Sequence, residues 1–228
     1  MTGHGVEMRD KGYFIQEEVL SPDECEILVD SISRTNNSRR RAGIRHLMKI
    51  PEVKSAASDV RLLRIAKLFL GSSAIPYRAT LFEKSGHANW LVAWHQDTAL
   101  PLENRVDSPD WGPWSEKEGL IYAHAPDWAL SRVIALRIHL DASTELNGPL
   151  RVVPGTHSLG VLSDDDVSRY ARSRSPIECL SSRGGVVAMR PLLIHASSKA
   201  RVNSPRRVLH IEYVDSLDLS EGVRLAIA

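Results

Sequence analysis

The sequence predicts a mainly β protein with flanking helices, and three observations carry that expectation. The two long stretches of helical periodicity, with their capping signals, lie before residue 71. From Ile75 onward, short apolar runs alternate with polar residues and are separated by Gly, Pro and Asn turn signals. A chain of 228 residues suits a single domain, 1–228, because β-rich domains of this size bury enough surface to need no staples.

Composition narrows the function classes. A net charge of +1 gives no electrostatic case for a nucleic-acid partner. No apolar run approaches a membrane span, and MTGHGVEMRDKGYF lacks the apolar region of a secretory signal, so a cytoplasmic protein is expected. Cys25 and Cys179 have no framework spacing and read as reduced structural thiols. Monomer and homodimer are equally compatible with this composition.

In chain order, Gly12 to Ile15 is the opening strand. Ser21-Pro22-Asp23-Glu24 then forms a capping box, with Ser at the cap, Pro at the first helical position and Glu at the third. Cys25, Ile27, Leu28 and Ile32 recur at helical spacing, so a helix runs from Pro22 to about Arg34. Arg34 to Arg45 carries five arginines, either a solvated loop or a clamp for an acidic group. One further helix over 52–70 places Val53, Ala56, Ala57, Val60, Leu63, Ala66, Leu68 and Phe69 mostly on one side and stops at Gly71. Ile75 to Phe82 returns as a strand and leads into Lys84, Asn89 and Trp90.

The next strand carries chemistry. From Leu91 to Asp97, alternation puts Val92 and Trp94 on one face and Ala93, His95 and Asp97 on the other. An imidazole and a carboxylate two residues apart can grip one ion, and two nitrogens with one carboxylate is the donor set of non-haem Fe(II) oxygenases. The pair needs a third ligand. Over 98–132 the periodicity disappears while Trp111, Trp114, Trp128 and four prolines accumulate. That pattern suggests a lid or pocket wall with Trp111 and Trp114 near substrate, the alternative being a loop over the outside of the barrel.

Val133 to Asp141 is a strand with Arg137 and His139 on one face, which is either solvent or a barrel interior, where polar residues mark a cavity. Asn147-Gly148 suits a tight hairpin turn into Leu150 to Val153. Ser163 before three aspartates caps a short helix with Arg169, Arg172 and Arg174 at its far end. Gly184-Gly185 opens the strand Val186 to Met189, and the apolar Leu192 to Ile194 ends at His195. The last clear strand, Arg206 to Tyr213, puts Arg206, Val208, His210 and Glu212 on one face. An inward arginine needs an anion, because an unpaired buried charge costs several kcal/mol, and a cosubstrate carboxylate would supply one.

WHQD at 94–97, NGPLRVVPGTH at 147–157, and HAS at 195–197 with Arg206 eleven residues after the histidine together resemble the phytanoyl-CoA dioxygenase family of Fe(II)- and 2-oxoglutarate-dependent oxygenases. The likeness spans nearly the whole chain. It implies a double-stranded β-helix, or jelly-roll, core over about 75–215 behind N-terminal helices over about 22–70. It further implies His95, Asp97 and His195 as iron ligands, Arg206 on the distal carboxylate of 2-oxoglutarate, and Ser197 beside it. Arg207 takes the place of Arg206 if the register shifts by one.

The same resemblance implies O2 as co-reactant, release of succinate and CO2, and hydroxylation of a small molecule. Halogenating relatives carry a small residue in place of the carboxylate, so Asp97 departs from them. Asn89 and Arg137 join Trp111 and Trp114 as substrate candidates, and the arginines favour an acidic metabolite or natural-product intermediate. Desaturation, epimerisation and ring formation stay open. So do two rivals, a zinc-dependent hydrolase on the same three ligands and a non-catalytic ligand-binding protein on the same fold.

Overall fold

The computed structural model describes residues 3–35, 43–85 and 89–228. Arg39, Arg40 and Arg41 of the arginine-rich segment lie outside those residues. The chain begins with α1 (Gly3–Lys11), which the sequence did not predict, then β1 (Tyr13–Gln16), α2 (Pro22–Thr35) and the short β2 (Gly43–Ile44). The expected capping box holds: Ser21 N donates to a Glu24 carboxylate oxygen at 2.7 Å and Glu24 N donates to Ser21 Oγ at 3.2 Å.

The single helix expected over 52–70 is two, α3 (Pro51–Ala57) and α4 (Val60–Leu70). Asp59 breaks it, because its carboxylate caps the second helix by accepting from Arg61 N at 2.8 Å. The break resets the helical phase. Val60 and Leu68 are consequently exposed, whereas Leu62, Ile65 and Ala66 are buried; Ile27 of α2 is exposed as well. Arg61 also bonds Glu24, fastening α4 to the start of α2. Replacing Asp59 with Ala is expected to cost about 1 kcal/mol from the lost cap alone, read as a lower urea midpoint at unchanged m-value.

The strands follow as β3 (Ile75–Lys84), β4 (Val92–His95), β5 (Ala99–Leu102), β6 (Trp114–Lys117) and β7 (Leu120–His124), with the one-turn α5 at Asp127–Leu130. Next come β8 (Val133–His139), β9 (Leu150–Val152), α6 (Asp164–Ser173), β10 (Ile177–Cys179), β11 (Val186–Met189), β12 (His195–Ser197), β13 (Arg206–Val214), β14 (Asp218–Ser220) and β15 (Val223–Arg224). A six-stranded antiparallel sheet, ordered β1-β11-β8-β13-β3-β2, faces a four-stranded one, β10-β9-β12-β4. This is the expected jelly-roll core. Among the described residues no helix is long and apolar enough to cross a membrane.

Strand alternation decides what each face of the larger sheet does. Leu136, Ile138, Leu209 and Ile211 point outward and share one buried cluster with Leu28, Ile32, Val53 and Leu62 of the helices. The residues between them point inward, so Arg137 and His139 on β8, Arg206, His210 and Glu212 on β13, and Lys84 on β3 are buried polar groups. The face of Arg137 that the sequence left undecided is therefore the interior.

Two turns differ from expectation. The segment 98–132, expected as an irregular lid or pocket wall, carries a small antiparallel sheet, β5-β7-β6. Its strands are four or five residues long, too short to declare a period. Asn147-Gly148 is not a hairpin turn, since β9 pairs with β10 and β12 rather than with β8. Asn147 instead accepts from Thr144 N and donates to Ala142 O, both at 2.8 Å, shaping the crossover between the sheets. Gly148 has φ of 72°, and a Cβ there would sit 2.5 Å from Ser198 O, so the crossover needs glycine.

Candidate active site

His95 ends β4, Asp97 follows two residues later, and His195 begins β12 rather than ending an apolar strand as expected. The β4–β12 pairing sets His95 opposite His195, with ring centroids 4.2 Å apart. A bulge in β4 lies between the His95 and Val92 registrations. It turns Val92 toward the recess with His95, contrary to simple alternation, while Trp94 packs against Val153, Val167 and Ile194 on the other side.

One ligand atom from each of His95, Asp97 and His195 lies within 4.8 Å of the others. Each imidazole is oriented by its backbone: Nδ1 of His95 lies 2.8 Å from Ala93 O, and Nδ1 of His195 lies 2.8 Å from Leu193 O. A carbonyl can only accept, so Nδ1 carries the proton and Nε2 presents a lone pair. Those Nε2 atoms stand 3.7 and 3.5 Å from the two Asp97 oxygens, leaving room for an ion between them. Burial pushes the His195 imidazolium down to about 3, partly offset by Asp97. Burial alone would raise the Asp97 carboxyl, but its interaction with His195 and His95, with the Arg78 guanidinium nearby, lowers it below the ordinary carboxylate range. Two neutral imidazoles and a carboxylate are a donor set that fits a divalent iron or zinc ion.

Two motif residues, Gln96 between the first two ligands and Thr156 of the PGTH turn, brace the segments that carry them. Gln96 Nε2 donates to Gly160 O and Leu192 O at 2.9 and 2.8 Å, and its Oε1 accepts from Leu162 N at 2.8 Å. Thr156 Oγ1 donates to Val153 O at 2.7 Å and accepts from Ile194 N at 3.0 Å, so the PGTH turn braces the residue just before His195.

The recess that opens from the ligands has a volume of about 70 Å³, and Lys84, Ser197 and Arg206 line it together with Phe82 and Arg137. Register pairs Arg206 with Lys84 across β13 and β3. Arg206 is 3% exposed, and its Nε and Nη1 have no protein partner. Arg207 points away and is taken up by Asp141, with two contacts of 2.7 Å, so of the two arginines Arg206 alone enters the recess. Ser197 Oγ accepts from Lys84 Nζ at 2.8 Å, and Lys84 also bonds Ser198 O. Lys84 is the residue sequence reasoning missed. Burial, with the charges of Arg206, Arg151 and Arg137, lowers its ammonium to about 7, and burial with Arg137 lowers Arg206 to about 9.

Three of the expected substrate residues lie elsewhere. Trp111 is buried among Leu100, Leu102 and Leu130 in the core beneath the small sheet. Trp114 packs at the edge of that core, with the Arg105 guanidinium 5.6 Å from its ring. Asn89 exchanges two hydrogen bonds with the backbone of Ala200, at 2.9 and 2.7 Å, which secures the loop before β13. Arg137 does line the recess. Of the described arginines in the arginine-rich segment, Arg45 lies 3.9 Å from Glu118, and neither residue lines the recess.

Comparison with known proteins agrees with this architecture. Residues 8–208 match the family model described as phytanoyl-CoA dioxygenase (PhyH). L-proline trans-4-hydroxylase from Streptomyces griseoviridis is 27% identical over 180 residues, covering 67% of this chain, and the chain spans only 59% of that enzyme's length. AviO1 from Streptomyces viridochromogenes Tue57 has a similar structure, with a TM-score of 0.68 and 24% identity over 93% of each chain. EctD from S. alaskensis, solved with 2-oxoglutarate and 5-hydroxyectoine, gives a TM-score of 0.71 at 18% identity over 94% of this chain and 76% of EctD. These likenesses establish the fold, and the family match covers most of the chain. The chain belongs to the phytanoyl-CoA dioxygenase family.

Proposed function

We propose that this protein is an Fe(II)- and 2-oxoglutarate-dependent dioxygenase that hydroxylates an unactivated carbon of a small molecule. One observation carries the reading: two Nε2 lone pairs and a carboxylate converge at one end of a recess whose other end holds the orphaned donors of Arg206. A zinc hydrolase would use the first feature and leave the second without purpose. The names of the relatives support the same class, since one is a proline hydroxylase and another was solved with 2-oxoglutarate. An acidic metabolite or natural-product intermediate is the substrate class we favour, and the two buried free cysteines fit a reducing, cytoplasmic setting.

In this reading His95, Asp97 and His195 hold the iron. Bound iron, 2-oxoglutarate and O2 together supply the oxidation that turns C–H into C–OH as 2-oxoglutarate becomes succinate and CO2. The chain's own residues do the rest. Arg206 and Lys84 donate to the distal carboxylate, and Ser197, held by Lys84, offers its hydroxyl beside them. Phe82, Val92 and Leu150 line the same recess and exclude water from it. The test is succinate formation from 2-oxoglutarate under air, dependent on added Fe(II) and absent with Zn(II). Metal-dependent hydrolysis without succinate would refute it.

Lys84 adds a pH signature. Its ammonium is favoured below about pH 7 and lost above it, and an anion binds the ammonium better than the amine. The affinity for 2-oxoglutarate should therefore fall several-fold as pH rises from about 6.5 to about 8.5. In Lys84→Met the affinity should be low and much flatter with pH, measured by calorimetric titration of the metal-loaded protein.

A further inference from the structure

The recess holds more positive charge than a distal carboxylate requires. Lys84, Arg137 and Arg206 all line it, and Asp97 is the one carboxylate that lines it with them among the described residues. Arg137 is 7% exposed, and its Nε is buried without a partner. Its position is fixed from two sides. The guanidinium carbon lies 5.3 Å from the centre of the Phe82 ring, and Nη1 donates to His210 Nδ1 at 3.0 Å. His210 Nε2 then faces Glu212 Oε1 at 3.5 Å, and the other Glu212 oxygen is 3.2 Å from Arg78. Arg78 thus faces Glu212 directly, whereas Arg137 meets that carboxylate only through the His210 ring.

Register locates the guanidinium along the barrel. On the inner face, Arg206 pairs with Lys84, Val208 with Phe82, and His210 with Thr80 and Arg137. Inward residues of a strand are about 7 Å apart. By register the Arg137 backbone stands two inward steps from the Arg206–Lys84 level, and its guanidinium, 5.3 Å from the Phe82 ring centre, reaches back to the step between them. The recess it lines has Asp97 and His195 at one end and Lys84 and Arg206 at the other. A five-carbon diacid with its distal end at Arg206 extends back over that distance.

We infer that Arg137 is a second cosubstrate-binding residue, gripping the carboxylate of the 2-oxo acid end while Arg206, Lys84 and Ser197 grip the distal one. His210 is its positioning residue. This rests on the 2-oxoglutarate reading above, and it makes recognition two-ended, so that Arg137 fixes how the reacting carboxylate lies beside the metal.

The experiment compares two acids on the anaerobic Fe(II)-loaded protein: 2-oxoglutarate, and 2-oxobutyrate, which lacks the distal carboxylate. Affinities are read from the visible charge-transfer band. In Arg137→Gln, which keeps a planar polar end, both acids should bind roughly tenfold or more weakly, with Arg137→Lys intermediate. Arg206→Gln should weaken 2-oxoglutarate alone. His210→Asn, which leaves the recess wall intact, should weaken both acids to a smaller degree, and it carries the test if the Arg137 variants do not fold. Unchanged binding of 2-oxobutyrate in Arg137→Gln or, failing that variant, in His210→Asn overturns the assignment while the broader reading stands. Absence of any band in the wild type overturns both.

Discussion

Arg206→Ala is expected to lose 2-oxoglutarate affinity by roughly 30-fold to several-thousand-fold, while Fe(II) binds as in the wild type. The size follows from what the substitution leaves behind. Arg206 is almost wholly buried, so a carboxylate bound there exchanges water for charge-assisted hydrogen bonds. Removing one partner of such a pair costs about 2–5 kcal/mol, because the other charge is stranded in a dry site. Lys84 limits the loss, as it pairs with Arg206 in register and keeps a donor at the same end. The double variant Arg206→Ala/Lys84→Met should consequently lose more than Arg206→Ala. Calorimetric titration with 2-oxoglutarate at fixed metal measures both, and an affinity within threefold of wild type in the single variant would contradict the role of Arg206.

Substitution at the ligands should have the second large effect, and on a different quantity. His195→Ala removes one of the two Nε2 donors, and Asp97→Asn removes the charge that balances the ion. Loss of a partner behind a ligand already costs roughly 10–100-fold in metal affinity, so loss of a ligand should cost at least that. Iron affinity and all succinate formation should fall together in both variants, with the fold retained by circular dichroism. His124→Ala is the contrasting control. That histidine meets Thr98 at 2.7 Å and takes no part in the ligand cluster, so metal affinity should be unchanged.

The sequence was most legible where one residue's neighbours in the chain determine its position. The capping box at Ser21–Glu24 and the strand expected over Arg206 to Tyr213, found as Arg206–Val214, follow from local spacing, whereas the choice of Arg206 over Arg207 came with the resemblance. His195 and Asp97 meet because two strands pair, which the motif spacing implied through resemblance rather than through geometry. Lys84 was unreadable for the same reason: only its register opposite Arg206 gives it a purpose. His210 and Glu212 were visible as an alternating face, but their roles depend on Arg137 and Arg78 from two other strands.

The errors have equally physical causes. An apolar stripe hid the helix break at Asp59, because a single cap outweighs continued periodicity. Tryptophans were expected at the pocket since indoles often line one, yet Trp111 fills the core beneath a sheet whose strands were too short to recognise. The bulge that swings Val92 inward leaves no mark in the sequence at all.

The most direct measurement is anaerobic titration of the metal-free protein, first with Fe(II) and then with 2-oxoglutarate, while following visible absorbance. Chelation of the metal by a 2-oxo acid should give a weak charge-transfer band in the wild type and none in His195→Ala. Iron binding with no band at any 2-oxoglutarate concentration would contradict the account, and would leave Arg206 without the anion its orphaned donors await.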